Sequence, residues 1–131
     1  MSRFAGKDTL QKLVDNSYKA IDEGAYDVKQ RITHDPISLR KAIMACNHAP
    51  LITEVKFSSP SRGQIRVAGT PAEIAVNMVN SGAIGLSVLT QPYMFDGSID
   101  NLIKVRKAVS APILMKDITV NEVQIDAGKQ A

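Results

Sequence analysis

Hydrophobic and polar positions follow two different rhythms along this chain. In the first 49 residues the rhythm is helical. Leu10, Leu13, Val14, Tyr18 and Ile21 recur at spacings of three and four, which predicts a helix with one apolar stripe. The segment "ISLRKAIMACN" predicts a second, shorter helix, with Asp35 or Ser38 as its N-cap. From Leu51 onward, short apolar runs alternate with helical patterns. "LITEVK", "IGLSVLT" (84–90) and "APILMKD" (111–117) read as strands, and the second is almost wholly apolar, as a parallel strand covered on both faces should be.

The helices between the strands carry their own start signals. Thr70, Pro71 and Glu73 form a capping box with proline at the first helical position. Ile74, Met78 and Val79 give that helix its apolar side, and Gly82 supplies a stop. Ser98 is the cap of a helix that turns Leu102, Ile103, Val105 and Val109 inward. Thr119 with Glu122 reads as a further box, opening a helix over "EVQIDAGKQA". Strand, helix, strand, helix, strand, helix implies a parallel sheet with right-handed crossovers. The strand ends at Lys56, Thr90 and Lys116 stand 34 and 26 residues apart. Such spacings suit the units of a TIM-type (β/α) barrel, about 30 residues each in a fold of roughly 250. The expected organisation is a helical segment over 1–49 and three βα units over 50–131. Three units do not close a barrel, so the expectation is a fragment, or a chain completed by another chain. Its two open sheet edges would invite self-association.

Composition narrows the class. With 44% hydrophobic and 22% charged residues the chain is an ordinary globular one. No apolar run approaches the roughly 18 residues of a membrane span, and the N-terminus lacks a signal-peptide core. The single cysteine, Cys46, cannot form an internal disulfide, fits a reducing cytoplasmic compartment, and reads as a small buried hydrophobe. His34 and His48 stand apart from other ligand-type residues and read as surface or capping residues, not metal ligands. The 16 Lys and Arg are scattered, so the net charge of +3 suits a small anionic ligand better than nucleic acid. No GxGxxG follows a strand, which argues against a dinucleotide site.

Candidate chemistry lies at the strand ends, because barrel enzymes react at the C-terminal edge of the sheet. Glu54 and Lys56 are two residues apart and share a face. Lys116 shares a face with Leu114 and points into the barrel, whereas Asp117 points toward the helix layer or the loop. The loop "QPYMFDGS" carries Tyr93, Met94 and Phe95 and reads as a cover over the charged mouth. Structural alternatives stand beside these: a Glu54–Lys56 ion pair, a Lys116–Asp117 pair, and Phe95 as ordinary core. Two lysines facing one cavity suit a substrate with a phosphate and a carboxylate, and a lysine there can serve as a general acid.

"PLITEVKFSSPSRGQIR", "LSVLTQPYMFDGSIDNL" and "APILMKDITVNEVQIDA" resemble the first three barrel strands of the indole-3-glycerol phosphate synthase family, and residues 1–49 are similar to its helical extension. The resemblance implies a lyase of tryptophan biosynthesis. Such an enzyme closes the indole ring of 1-(2-carboxyphenylamino)-1-deoxyribulose 5-phosphate, with loss of carbon dioxide and then water, using no cofactor. It implies catalytic roles for Glu54, Lys56 and Lys116, with Lys116 the general acid, and substrate contacts for Ser59 and Phe95. Ile118 stands where the family usually has Phe, so one aromatic wall of the site is missing. The family's remaining catalytic and phosphate-binding residues are expected beyond Ala131, so the chain should be inactive by itself. Two alternatives are kept: a non-catalytic half-barrel that assembles through its edges, and another phosphate-binding barrel such as phosphoribosylanthranilate isomerase.

Overall fold

A computed structural model describes residues 9–65 and 68–131. The helical reading of residues 1–8 lies outside the described residues. Helix α1 (Thr9–Asp22) and helix α2 (Leu39–Ala45) precede the first strand, β1 (Ile52–Val55). A hairpin follows, β2 (Ser58–Ser59) with β3 (Gly63–Gln64). Then come α3 (Pro71–Asn80), β4 (Gly85–Leu89), the short α4 (Pro92–Phe95), α5 (Ile99–Ala108), β5 (Ile113–Lys116) and α6 (Glu122–Gln130).

The main sheet has the order β1-β4-β5 and is parallel throughout, as the alternation of strands and helices predicts. Its register decides which side chains meet. Thr53 and Val55 pair with Leu86 and Val88, which pair with Ile113 and Met115. That face meets the helix layer, and the core gathers on it: Val55, Leu86 and Val88 with Ile74, Ala75, Leu102, Ile103 and Val105. The other face carries Ile52, Glu54, Ser87, Leu89, Leu114 and Lys116. There Leu89 is buried, but Ile52 and Leu114 stay about half exposed. All five residues of β4, the middle strand, are buried.

Local signals act where expected, with exceptions. Ser38, not Asp35, caps α2, its hydroxyl accepting from the Lys41 amide. Thr70 and Glu73 form their box, and Ser98 caps α5. The last box differs from its expectation. Asn121 is the N-cap, accepting from the Val123 amide at 3.0 Å, and the Gln124 side chain accepts from the Asn121 amide at 3.2 Å. The helix begins at Glu122, so Thr119 lies too far upstream, and Asn is at least as good a cap as Thr. The α1 stripe is also only partly used. Leu10 and Tyr18 are exposed, and the buried residues are Ser17 and Ala20. The 58–64 hairpin has no strand signal in the sequence, because two-residue strands show no alternation.

Candidate functional site at the strand ends

Parallel pairing brings the C-terminal ends of β1, β4 and β5 to one edge, and with them the charged residues. Glu54 is two strands away from Lys116 in the sheet, with Ser87 between Glu54 and Leu114 in the register. The Glu54 carboxylate joins both lysines. Lys56 Nζ lies 2.6 Å from Oε1, and Lys116 Nζ lies 3.6 Å from Oε2. Lys56 and Glu54 are about two-thirds covered, and Lys116 is half exposed. Partial burial by itself would raise the Glu54 carboxyl, but the hydrogen bond and charge of Lys56, with the charge of Lys116, outweigh it and hold the group below the ordinary carboxylate range. Glu54 is therefore an anion at neutral pH, bridging two cations.

The ion pair raised as a structural alternative, Glu54 with Lys56, exists, and it extends to a third member. The other alternative does not hold: Asp117 is bound by Tyr26, Thr90 and Gln124, while Lys116 turns to Glu54. Asp117 follows the strand on the opposite side from Lys116, toward the helices, as alternation predicts.

The remaining predicted residues surround this edge. Ser59 is buried in β2, and its hydroxyl accepts from the Arg62 amide at 3.2 Å. Phe95 ends α4 and is half-buried, and α4 packs on β2. Ile118 is half-buried in the loop after β5, its amide held by Asp117 and its carbonyl by Gln124. Tyr93 does not cover the mouth. It turns to α1, where its hydroxyl meets the Glu23 carboxylate and the Lys19 ammonium lies 4.6 Å above its ring.

Two sequence readings are corrected. Cys46 is not a buried hydrophobe. It is half-buried at the end of α2, with its thiol 3.4 Å from His48 Nδ1, because the helix stops there and the chain turns outward. His34 is not a plain surface residue: both ring nitrogens are buried without a hydrogen-bond partner among the described residues. It lines a cavity of about 480 Å³ with Arg106, Met115 and Lys129. His48 is exposed, as expected. Sequence reasoning missed Tyr26, Thr90 and Gln124 around Asp117, and no local signal announces them. Among the described residues no three His, Cys, Asp or Glu side chains gather as metal ligands, and no helix is long and apolar enough to cross a membrane.

A cation pair held by one carboxylate can bind an anionic substrate and deliver a proton to a developing oxyanion. Comparison with known proteins shows the family. The family model described as Indole-3-glycerol phosphate synthase matches residues 7–131. The chain is 46% identical over 92 residues to the indole-3-glycerol phosphate synthase of Halobacterium salinarum, covering 70% of this chain and 36% of that protein. It is 44% identical over 102 residues to that of Mycolicibacterium gilvum, covering 76% and 37%. It is 41% identical over 122 residues to that of Methanocaldococcus jannaschii, covering 90% and 44%. The chain thus spans 36–44% of the length of these relatives.

Proposed function

This chain belongs to the indole-3-glycerol phosphate synthase family, and from that premise we propose that its Glu54–Lys56–Lys116 cluster is part of a site that closes an indole ring. The observation that carries the reading is the single carboxylate bridging two ammoniums at the ends of β1 and β5. The substrate is 1-(2-carboxyphenylamino)-1-deoxyribulose 5-phosphate. Lys116, the more exposed lysine, donates its proton to the carbonyl oxygen as the aromatic carbon attacks, and carbon dioxide and then water leave. Lys56 pairs with the substrate's anionic groups, and Glu54 pairs with Lys56 and aims it. Ser59 and Phe95 border the substrate from the hairpin and from α4, and Ile118 gives an aliphatic wall. Family membership favours this reaction over that of phosphoribosylanthranilate isomerase. Cytoplasmic action fits the free thiol of Cys46.

The chain spans 36–44% of these three relatives, and we assign it no turnover by itself. The test therefore uses a complete family barrel carrying these 131 residues, with ring closure followed by indole fluorescence. Lys116→Ala is expected to lower kcat at least about a hundredfold and leave KM within several-fold, because a general acid acts in the transition state. Lys56→Ala is expected to disturb both constants. A folded Lys116→Ala enzyme turning over at close to the parent rate would remove Lys116 from the mechanism.

A further inference from the structure

Asp117 is gripped by four donors. Its Oδ2 accepts from the Thr90 hydroxyl at 2.5 Å and the Tyr26 hydroxyl at 2.8 Å. Its Oδ1 accepts from the Ile118 amide at 2.7 Å and the Gln124 carboxamide at 3.4 Å. Tyr26, Thr90 and Gln124 are all buried, and they come from three places: the turn after α1, the end of β4 and the first turn of α6. They converge on the residue next to Lys116.

The same groups hold the backbone at that lysine and just after it. The Thr90 amide donates to the Lys116 carbonyl at 3.1 Å. Gln124 donates to the Ile118 carbonyl at 3.0 Å and accepts from the Val120 amide at 2.8 Å. Burial, then the nearby Asp117 carboxylate, push the Tyr26 hydroxyl well above its ordinary range, so it remains a donor at any working pH. Among the described residues the Lys116 side chain, in contrast, has only its 3.6 Å contact with Glu54, and it is half exposed. A long side chain that exposed keeps a fixed direction only if its backbone is fixed, since its own rotamer entropy opposes order. A carboxylate already satisfied by four donors also has little left to offer the neighbouring ammonium.

We propose that Asp117 is a positioning residue for Lys116: its buried clasp with Tyr26, Thr90 and Gln124 locks the end of β5 so that the ammonium turns to Glu54 and the mouth. The functional side of this rests on the reading of Lys116 as the working lysine. The structural side does not, and the experiment separates them.

The 131-residue chain is labelled with carbon-13 and nitrogen-15, and the Lys116 Cε–Nζ signals are recorded with and without Glu54→Gln. In the parent chain Glu54→Gln shifts the Lys116 signals. In the Asp117→Asn background that response falls at least about threefold, and Tyr26→Phe gives a partial loss. Lys129, paired with Asp126 at 3.2 Å, stays unchanged as the internal control. Should Asp117→Asn fail to fold, Tyr26→Phe decides by the same measurement. A folded variant with the full parental response to Glu54→Gln overturns the proposal. In a complete barrel, Asp117→Asn is expected to lower kcat about tenfold with KM within twofold. An active parent with an equally active Asp117→Asn variant likewise overturns it. Loss of the signal response in a barrel that never closes the ring upholds the positioning and sinks the assigned reaction instead.

Discussion

Gly97→Ala tests how tightly the loop bearing Phe95 is laid on the sheet. A Cβ at Gly97 would sit 2.4 Å from the Leu89 carbonyl oxygen, 2.7 Å from its carbonyl carbon and 2.8 Å from the Thr90 nitrogen. Non-bonded carbon contacts are comfortable only at about 3.5 Å, so the overlap is close to 1 Å. The obstacles are backbone atoms at the end of the middle strand, where Leu89 pairs with Lys116 and the Thr90 amide donates to the Lys116 carbonyl. The loop cannot give way freely either. Gln91 closes it from both ends, its carbonyl accepting from the Gly97 amide at 3.0 Å and its side chain accepting from the Met94 amide at 3.1 Å. Overpacking of this kind costs about 1–3 kcal/mol. An unfolding entropy of about 2.1 cal/mol/K per residue, taken over the whole chain, makes 2 kcal/mol worth about 7 °C of melting temperature. Thermal unfolding followed by far-ultraviolet circular dichroism measures it. Gly63→Ala is the comparison. No atom lies within 4 Å of its Cβ position, but φ is 62°, so only backbone strain of about 1 kcal/mol is expected, a shift near 4 °C. A Gly97→Ala protein melting within about 1 °C of the parent, or above Gly63→Ala, would refute the close approach.

Glu54 makes stability depend on pH with a definite sign. Its folded carboxyl lies below the ordinary range, so its contribution is whole above about pH 5 and is lost as pH falls through the folded value. Urea unfolding of the parent and Glu54→Gln should differ by about 0.5 kcal/mol at neutral pH and converge in acid, and a gap that widens in acid contradicts the bridging arrangement. Thr70→Ala removes the hydroxyl that accepts from the Glu73 amide at 3.2 Å, and should cost about 1 kcal/mol, with Thr70→Ser close to neutral; equal stability of Thr70→Ala and parent in urea would show the cap to be idle.

Much of the site's layout is written in short-range pattern. The period of two puts Glu54 and Lys56 on one side and separates Lys116 from Asp117. The Thr70–Glu73 box and Ser98 start their helices from adjacent residues alone. Parallel topology, itself implied by the alternation of elements, carries Glu54 and Lys116 to one edge although 62 positions separate them. Other features had no local sign. The bridge from one carboxylate to two lysines depends on strand order and register, and the Asp117 clasp depends on Tyr26, 91 residues away. Exposure of Leu10 and Tyr18, with Ser17 and Ala20 buried instead, depends on what the helix packs against. Helix caps and strand alternation are energies between neighbours along the chain, so the sequence by itself determines them. The partner of a buried carboxylate or the covered side of a helix is decided by which distant segments the fold brings within hydrogen-bonding distance, and only tertiary structure sets that.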